Sequence, residues 1–369
     1  MKPRFVFLAV AIALIVGAGA GFAAHAFSAG KSTATSPLLT RDVARTTPVA
    51  STSTTSPLTQ VYKTDAPGVV TVTVSGKSSS SGSTSPFGLP GQKQQFEAMG
   101  TGFEIDANGN IMTAEHVIAG ASSIKVTFQD GSTAKATLVG SDSSTDSAVI
   151  HVDVPASQLH PLTLGNSSNV LPGQTVVAIG TPLSPDYSES MSAGIVSAIN
   201  RTITAPNNFS IPGTIQTDAA INHGNSGGPL IDVASNTVIG INDQLPSGTV
   251  NANVGIGFAA PIDAAKASAS TIIAGRPVQH AYMGVRIGDA PNGGAKVGLI
   301  ITGSPAASAG LQKGDVITAY NGKTILTADA LTAAVTQSTV GQKVTLTVHR
   351  GGTTKQLTMT LGNQPSSAK

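Results

Sequence analysis

The chain has 369 residues, a length that suggests two domains. Its 21 Lys and Arg residues against 19 Asp and Glu residues leave a net charge of +2, and Lys2 and Arg4 account for that excess. This balance excludes nucleic-acid binding through a broad basic surface as the main function. A hydrophobic content of 40% excludes a wholly disordered chain. The absence of Cys excludes disulfides, thiol nucleophiles and Cys-based zinc sites.

Residues 1–27 are predicted to form a signal anchor or a signal peptide. Residues 5–24 carry no charged side chain, and a helix of that length can span the roughly 30 Å of a membrane's hydrocarbon core. The stretch is longer than the usual core of a cleavable signal, but the small residues Ala24 and Ala26 leave cleavage open, and a buried core helix is the third alternative. Basic residues before the stretch predict that the rest of the chain is exported, either anchored to the membrane or secreted after cleavage.

Residues 28–60 are rich in Ser, Thr and Pro, which predicts a flexible linker. Residues 61–275 contain short β-branched and apolar runs between turn signals, a pattern that predicts an all-β barrel or sandwich domain. Within it, residues 75–95 are predicted to form a long loop, and residues 262–274 a helix because a Pro precedes them and a Gly follows. The predicted strands cover, in chain order, residues 69–74, 102–105, 110–113, 124–128, 134–139, 148–152, 175–179, 194–199, 215–217, 229–232, 238–242 and 255–258.

Residues 280–362 form a second predicted unit, and residues 363–369 a short tail. The second unit combines one helical pattern with several β-like runs, which predicts a small α+β domain. Its predicted helix covers residues 328–337. Its predicted strands cover residues 285–287, 298–302, 316–320, 343–349 and 355–361.

The sharpest local signal is residues 224–230, which read Gly-Asn-Ser-Gly-Gly-Pro-Leu and surround Ser226 with glycine. Glycines let the backbone turn its N–H groups toward one point, as an oxyanion hole requires. The same letters contain Gly-x-Ser-x-Gly, the elbow of an α/β-hydrolase, but that elbow needs a helix directly after the Ser. Here Pro229 and a β-like run follow. The elbow and an idle Ser in a β-turn remain as alternatives to a protease nucleophile.

Two upstream residues complete a possible catalytic set with Ser226. His116 follows an apolar strand, and Asp146 directly precedes another. A nucleophilic Ser needs a base, and the base needs an acid that orients it. Each residue alone is more often structural, but the order His116, Asp146, Ser226 inside an all-β unit is that of the chymotrypsin-type arrangement.

These segments resemble those of the HtrA family of serine proteases. The likeness rests on residues 113–117 (Thr-Ala-Glu-His-Val), 145–149 (Thr-Asp-Ser-Ala-Val), 216–230 around the Ser, and 255–261 (Gly-Ile-Gly-Phe-Ala-Ala-Pro). It extends over about residues 60 to 362. Two positions depart from the family pattern, since Ser147 stands where an apolar residue is common and His223 where Pro is common. His223 borders the predicted oxyanion loop and could affect how that loop adopts its active form.

The resemblance implies a chymotrypsin-like double β-barrel domain with Ser226 as nucleophile, His116 as general base and then acid, and Asp146 as the orienting acid. It also implies that the backbone N–H groups of Gly224 and Ser226 bind the oxyanion. No metal motif or phosphate-binding loop accompanies these residues, so no metal and no cofactor is expected.

The resemblance implies a substrate pocket that begins six positions before Ser226 and includes the strand at residues 238–242. In this sequence these positions are Ala220 and Ile221, with Ile241 and Asn242 as further walls. None of the four carries an acid that could pair with Lys or Arg. The resemblance implies a preference for small aliphatic residues before the scissile bond.

The second unit resembles an HtrA-type PDZ domain. Its carboxylate-binding loop and first groove strand would be Tyr282, Met283, Gly284 and Val285, and residues 303–317 match the most recognisable stretch of the family. The loop would hold a peptide's terminal carboxylate while the peptide adds a strand to the sheet. Leu331 and Val335, four apart on the predicted helix, would face the groove. Core packing for that pair, and a purely structural turn for the loop, are the alternatives.

The sequence therefore predicts an exported serine endopeptidase that cleaves unfolded or misfolded proteins and binds peptide C-termini through its PDZ domain. The expected partners are unfolded polypeptides, peptide C-termini and a membrane, with no nucleic acid. The resemblance also implies a homotrimer formed through N-terminal aromatic contacts, for which this chain offers only Tyr62 near that end. The rivals are a non-catalytic envelope chaperone or sensor and an α/β-type esterase.

Overall fold

The computed structural model describes residues 55–77, 95–181, 189–205, 209–243 and 255–365. The predicted helix at residues 1–27 and most of the predicted linker lie outside these residues. Across the part of the chain that the structure describes, no helix has the length and apolar character needed to cross a membrane.

The first half of the protease unit is a closed six-stranded antiparallel barrel. In it, Val70, Val72 and Val74 are all buried on the first strand, and Gly109, which follows Asn108 in the connection to the third strand, has a φ of +87°. Strand order around the barrel is β1-β2-β3-β6-β5-β4. Its strands are β1 (Val69–Lys77), β2 (Gln95–Glu104), β3 (Asn110–Thr113), β4 (Ser123–Thr127), β5 (Thr133–Asp142) and β6 (Ser147–Val152).

The second half repeats this architecture as another closed barrel of six antiparallel strands, in the order β10-β11-β12-β9-β8-β7. Leu230 and Ile239, on adjacent strands, are buried in its interior. The strand at residues 194–199 is longer than predicted, because it also pairs with β9 beyond Ala198 through register shifts. The strands are β7 (Thr175–Gly180), β8 (Ser190–Thr204), β9 (Ser210–Thr217), β10 (Pro229–Asp232), β11 (Thr237–Asn242) and β12 (Gly257–Pro261).

A shared hydrophobic core joins the two barrels. Phe103 and Met112 from the first barrel pack with Ile179 and Ile231 from the second, and all four are fully buried. Helix α3 (Ile262–Ile273) follows β12 and buries one apolar stripe against the same core. Because both barrels contribute to this core, it fixes their orientation relative to each other.

Two short helices add to the protease unit. Helix α1 (Pro57–Asp65) begins three residues before the end of the predicted linker, with a Pro in its first turn. Its Val61 is buried in the shared core, which explains why this polar-looking segment is helical. Helix α2 (Glu115–Ile118) follows β3 directly.

The C-terminal unit is a small α+β domain with its own core, which includes Val297, Ile317 and Leu346. Strands β14-β15-β16-β18-β19 form one sheet, β17 pairs with β16, and β13 pairs with β20. The strands are β13 (Ala281–Tyr282), β14 (Val285–Asp289), β15 (Ala295–Ile300), β16 (Val316–Tyr320), β17 (Lys323–Thr324), β18 (Lys343–Arg350), β19 (Thr353–Thr360) and β20 (Gly362–Asn363). The helices are α4 (Pro305–Ser308) and α5 (Ala328–Thr336).

The predicted fold class is confirmed as mainly β, with two six-stranded barrels followed by a small α+β domain. The predicted loop at residues 75–95 is shorter than expected in the structure, since β1 extends to Lys77 and β2 begins at Gln95. Residues 78–94 lie outside the described residues.

Candidate active site

The Ser226 segment lies between β9 and β10 and is tied to both barrels. The Thr101 N–H on β2 donates to the Ser226 carbonyl at 2.9 Å, and the Thr101 hydroxyl donates to the Gly224 carbonyl at 2.6 Å. On the other side, the Gly227 N–H donates to the Asn242 carbonyl at 2.8 Å. The serine therefore lies at the junction of the barrels, held by backbone contacts from each.

The glycines around Ser226 are required by this geometry. Gly224 and Gly227 have φ values of +97° and +87°, in the region that side chains disfavour. A Cβ added at Gly227 would lie 2.2 Å from the Thr101 carbonyl oxygen and 2.3 Å from the Thr113 hydroxyl. Glycine at position 227 therefore allows the loop to pass this close to β2 and β3.

His116 and Asp146 meet through two hydrogen bonds. Asp146 Oδ1 accepts from the His116 backbone N–H at 2.9 Å, and Asp146 Oδ2 lies 2.5 Å from His116 Nδ1. Asp146 occupies the turn before β6 with a φ of +46°, a conformation that Asp tolerates better than most residues. The Asp146 side chain is buried, and its carboxylate orients His116 through contacts with both the imidazole ring and the backbone N–H.

The electrostatics of this pair suit a general base. Burial of the imidazole lowers the pKa of His116, but the hydrogen bond and negative charge of Asp146 outweigh that effect, and the pKa of His116 lies above its usual value. Asp243 and Glu115 add smaller effects in the same direction. A more basic imidazole is a better proton acceptor for a serine hydroxyl.

The Ser226 hydroxyl itself points to a different partner. Ser226 Oγ donates to the backbone carbonyl of Asp243 at 2.5 Å, and among the described residues no hydrogen bond joins it to His116. The hydroxyl must therefore give up this hydrogen bond before the imidazole can take its proton. Sequence reasoning did not predict this arrangement.

Asp243 is a site residue that sequence reasoning missed. It directly follows β11, its side chain is 1% exposed, and its Oδ1 lies 4.0 Å from His116 Nδ1. Burial first, and then repulsion from Asp146, raise the pKa of Asp243 to about 7, against an opposing effect of His116. The available signal was an acid placed immediately after an apolar strand and next to Asn242, which was already predicted for the pocket.

The two predicted oxyanion donors have no hydrogen-bond acceptor among the described residues. Within the described residues, neither the Gly224 N–H nor the Ser226 N–H donates to another group, while the neighbouring Asn225, Gly227 and Gly228 amides all do. Two unpaired amides beside a serine hydroxyl are the donors that a developing oxyanion requires.

The four residues predicted for the substrate pocket lie at different depths. Ala220 is half-buried, and its carbonyl accepts from the Ser192 hydroxyl at 2.9 Å. Ile221 and Ile241 are each 1% exposed and belong to the hydrophobic cores. Asn242 is fully buried and donates its side-chain amide to a backbone carbonyl of β10 at 3.0 Å. Of the four, Ala220 is therefore the residue most open to a ligand.

The predicted carboxylate-binding loop connects β13 to β14. The carbonyls of Met283 and Gly284 accept from backbone amides of α4 and of the residue after β15, both at 2.9 Å. Gly284 has a φ of +80°, and a Cβ there would lie 2.1 Å from the Ser304 Cβ. Tyr282 pairs with β20, and Val285 begins β14, the edge strand of the sheet in the described order.

The two predicted groove residues of α5 differ in exposure. Leu331 is 1% exposed and packs inside the core of this domain, whereas Val335 is half-buried at its margin. The helix lies beside β14. Of the two, only Val335 keeps part of its surface open to solvent.

One cluster among the described residues brings three potential metal-binding side chains together, namely His116, Asp146 and Asp243, with donor atoms within 4.8 Å of one another. His116 Nδ1 is already bonded to Asp146. We therefore interpret the cluster as an acid–base system.

Comparison with known proteins agrees with this geometry. Residues 100–241 match the model of the trypsin-like peptidase domain, and residues 281–361 match that of the PDZ domain. A probable periplasmic serine endoprotease, DegP-like, from Halomonas elongata is 40% identical over 296 residues, which cover 77% of this chain and 60% of the relative. The putative serine protease HhoA from Synechocystis is 36% identical over 296 residues, which cover 74% of this chain and 73% of that protein.

A solved structure decides the family. The HtrA-type protease AlgW with a decapeptide superposes with a TM-score of 0.66 at 31% identity, over 83% of this chain and 98% of that one. The chain belongs to the HtrA-type serine proteases. This HtrA-type chain spans about three-fifths of the length of the DegP-like relatives it matches first.

Proposed function

We propose that this HtrA-type chain is a serine endopeptidase in which Ser226 is the nucleophile, His116 the general base and Asp146 the acid that orients it. The observation that carries the proposal is the 2.5 Å contact between His116 Nδ1 and buried Asp146 Oδ2, at the junction of the barrels where Ser226 lies in its glycine loop. The close HtrA relatives, which are named as serine proteases, support the same reading.

The first step transfers a proton and forms a bond. Ser226 Oγ leaves the Asp243 carbonyl, turns to His116 Nε2 and gives up its proton as the oxygen attacks the scissile carbonyl carbon. The resulting imidazolium is stabilised by Asp146, which stays ionised. The amides of Gly224 and Ser226 bind the oxyanion, and the loss of one such donor raises the barrier by roughly 3–4 kcal/mol.

The second step releases the products. His116 returns its proton to the leaving amine, and the peptide bond breaks to leave an acyl-enzyme on Ser226. A water molecule then gives a proton to His116 and attacks the acyl carbon, and collapse of the second tetrahedral intermediate restores the Ser226 hydroxyl. No cofactor is needed for this chemistry.

Ala220, Ile221, Ile241 and Asn242 are proposed to shape the pocket for the residue before the scissile bond. None carries a charge; Ile221 and Ile241 are buried apolar residues, and Ala220 is half-buried. Small aliphatic residues should therefore be preferred there. A peptide-library profile tests this, and predominant cleavage after Lys or Arg would contradict it.

The PDZ unit is proposed to bind peptide C-termini at Tyr282, Met283, Gly284 and Val285. The carbonyls of this loop are already bonded to the domain's own backbone, which supports a role for its amides as ligands of a carboxylate. β14 is an edge strand, so a peptide can add to it as a further strand, beside Val335 on α5. In this proposal, Leu331 contributes to the groove only indirectly, as a buried residue that packs α5 on the core.

Unfolded or misfolded exported proteins are the proposed substrates, because an extended strand must enter the cleft between the barrels. Two observations support export. Some relatives are named as periplasmic, and residues 1–27 combine a basic start with a long uncharged stretch. The anchor itself, its alternative as a cleaved signal, and a homotrimer remain proposals. N-terminal sequencing and membrane extraction test the first two, and light scattering tests the third.

A non-catalytic chaperone or sensor is the second candidate, favoured by one observation, the bond of Ser226 Oγ to the Asp243 carbonyl instead of His116. The α/β-type esterase is excluded, because the protease unit consists of closed antiparallel barrels.

The decisive experiment compares degradation of an unfolded model protein by the full chain and by Ser226→Ala. Cleavage by the first alone is the expected result. If neither cleaves, hydrophobic C-terminal peptides are added. Cleavage then indicates a ligand-gated enzyme, and continued inactivity with retained peptide binding refutes the protease proposal in favour of the binding protein.

A further inference from the structure

Asp243 occupies a position that the proposed catalytic scheme does not use. Its backbone N–H donates to the Phe258 carbonyl of β12 at 3.0 Å, and its carbonyl accepts from the Ser226 hydroxyl, so the main chain holds it in place on both sides. Its side chain then turns inward, 1% exposed, to lie 4.0 Å from His116 Nδ1. Neither carboxylate oxygen has a hydrogen-bond partner among the described residues.

A buried carboxyl group without a partner is costly, and it rarely persists without a role. Here it lies on the same edge of the imidazole as Asp146, with the donor atoms of all three side chains within 4.8 Å of one another. Two carboxylates this close cannot both ionise beside a neutral imidazole without strong repulsion. The number of protons bound at the active site therefore depends on three side chains instead of two.

We propose that Asp243 is a positioning residue of the catalytic system, whose buried carboxyl group acts on His116 beside Asp146 and sets the charge that the imidazole meets. This inference rests on the proposed Ser226–His116–Asp146 chemistry. While Asp243 keeps its proton, His116 meets the single negative charge of Asp146. Once Asp243 ionises, a second negative charge stabilises the imidazolium and makes His116 more basic.

Within the described part of the chain, few groups act on these sites. Asp146 and His116 act on Asp243, and Asp146, Asp243 and Glu115 act on His116. Burial and Asp146 raise the pKa of Asp243 to about 7, so its ionisation falls in the pH range where a general base must also lose its proton. The two groups should therefore titrate as a coupled pair.

The test is the pH dependence of kcat/KM for the full chain and for Asp243→Asn, which keeps the shape of the side chain and removes its charge. His116 must be neutral to act as a base, and it is less basic without the second charge. The acid limb of the variant should therefore move to lower pH by about one unit, the size expected for a charge within 4–6 Å. All measurements contain EDTA, so that a metal ion held by the three side chains cannot cause the shift.

Asp232→Asn is the matched control. Asp232 is also a buried Asp at a strand end of the second barrel with one unpartnered carboxylate oxygen, but it does not act on His116. Its acid limb should coincide with that of the unmodified chain. An unchanged limb in Asp243→Asn, or an equal shift in Asp232→Asn, overturns the proposal.

A second readout needs no activity and separates this inference from the protease proposal. In the Ser226→Ala background, NMR of the imidazole nitrogens follows the protonation of His116 directly. Asp243→Asn, or Asp243→Ser if the first variant does not fold, should lower the midpoint of His116 by about one pH unit. An unchanged midpoint overturns the proposal, whether or not the chain cleaves peptides.

Discussion

A buried glutamate in the first barrel makes a quantitative prediction about stability. Glu104 ends β2 and is fully buried. Its Oε2 accepts from the His160 backbone N–H, while Oε1 has no partner among the described residues. Burial raises the pKa of Glu104 from 4.5 to about 7, although the hydrogen bond from His160 opposes that rise. The folded state therefore keeps a proton that the unfolded chain releases near pH 4.5.

The sign and size of the effect follow from this difference. Between pH 4.5 and 7 the unfolded chain binds fewer protons at Glu104, so the free energy of unfolding falls as the pH rises and stays lower above pH 7. A rise in pKa from 4.5 to about 7 corresponds to about 3 kcal/mol. The Gln side chain resembles the neutral carboxylic acid, so Glu104→Gln does not lose stability in this way as the pH rises. Relative to its parent, it should gain about 3 kcal/mol in stability between pH 4 and pH 8.

The assay is urea unfolding followed by circular dichroism, in the Ser226→Ala background to prevent self-digestion. The quantity of interest is the difference between variant and parent at each pH, since contributions of distant groups cancel in it. Glu97→Gln, with an exposed side chain on the same strand, is the control, and a pH-dependent gain equal to that of Glu104→Gln would contradict the role of burial. A constant difference for Glu104→Gln from pH 4 to pH 8 would refute the reasoning.

Three further substitutions have clear expected outcomes. Gly227→Ala places a Cβ 2.2 Å from a β2 carbonyl at a φ of +87°, so proteolysis of an unfolded protein should be abolished, and wild-type turnover would contradict the role of this glycine. His280→Ala removes the 2.8 Å contact of its Nε2 with buried Asp142, and chemical unfolding should show a loss of about 1–2 kcal/mol. Gly284→Ala would push a Cβ to 2.1 Å from the Ser304 side chain, so calorimetric binding of a hydrophobic C-terminal peptide should weaken at least tenfold while cleavage of short peptides is retained.

Much of the architecture was predictable from local patterns. β-branched runs between turn signals predicted nearly every strand, because side-chain alternation and turn chemistry are local properties of the chain. The helices at residues 262–274 and 328–337 were predicted within one residue of their observed ends, since caps and apolar spacing mark them. The order of His116, Asp146 and Ser226 also predicted that distant segments belong to one site.

Helix α1 was not predicted from the sequence. Its residues look like the continuation of a polar linker, and only packing of Val61 into the core between the barrels makes the segment helical. The burial of Leu331 and Ile221 is also set by neighbouring elements, because the same apolar side chain suits either a groove or a core.

The sequence alone therefore determined the strand pattern, the two folded units and the reactive residue types, all of which depend on local chemistry. Only the tertiary structure decided that Asp146 lies 2.5 Å from His116, that Ser226 donates to the Asp243 carbonyl, and that a second buried carboxylate faces the same imidazole. These features depend on how two barrels meet, since residues far apart in the chain approach there to within a hydrogen-bond length. The contact between the two barrels therefore sets the charges that surround the His116 imidazole.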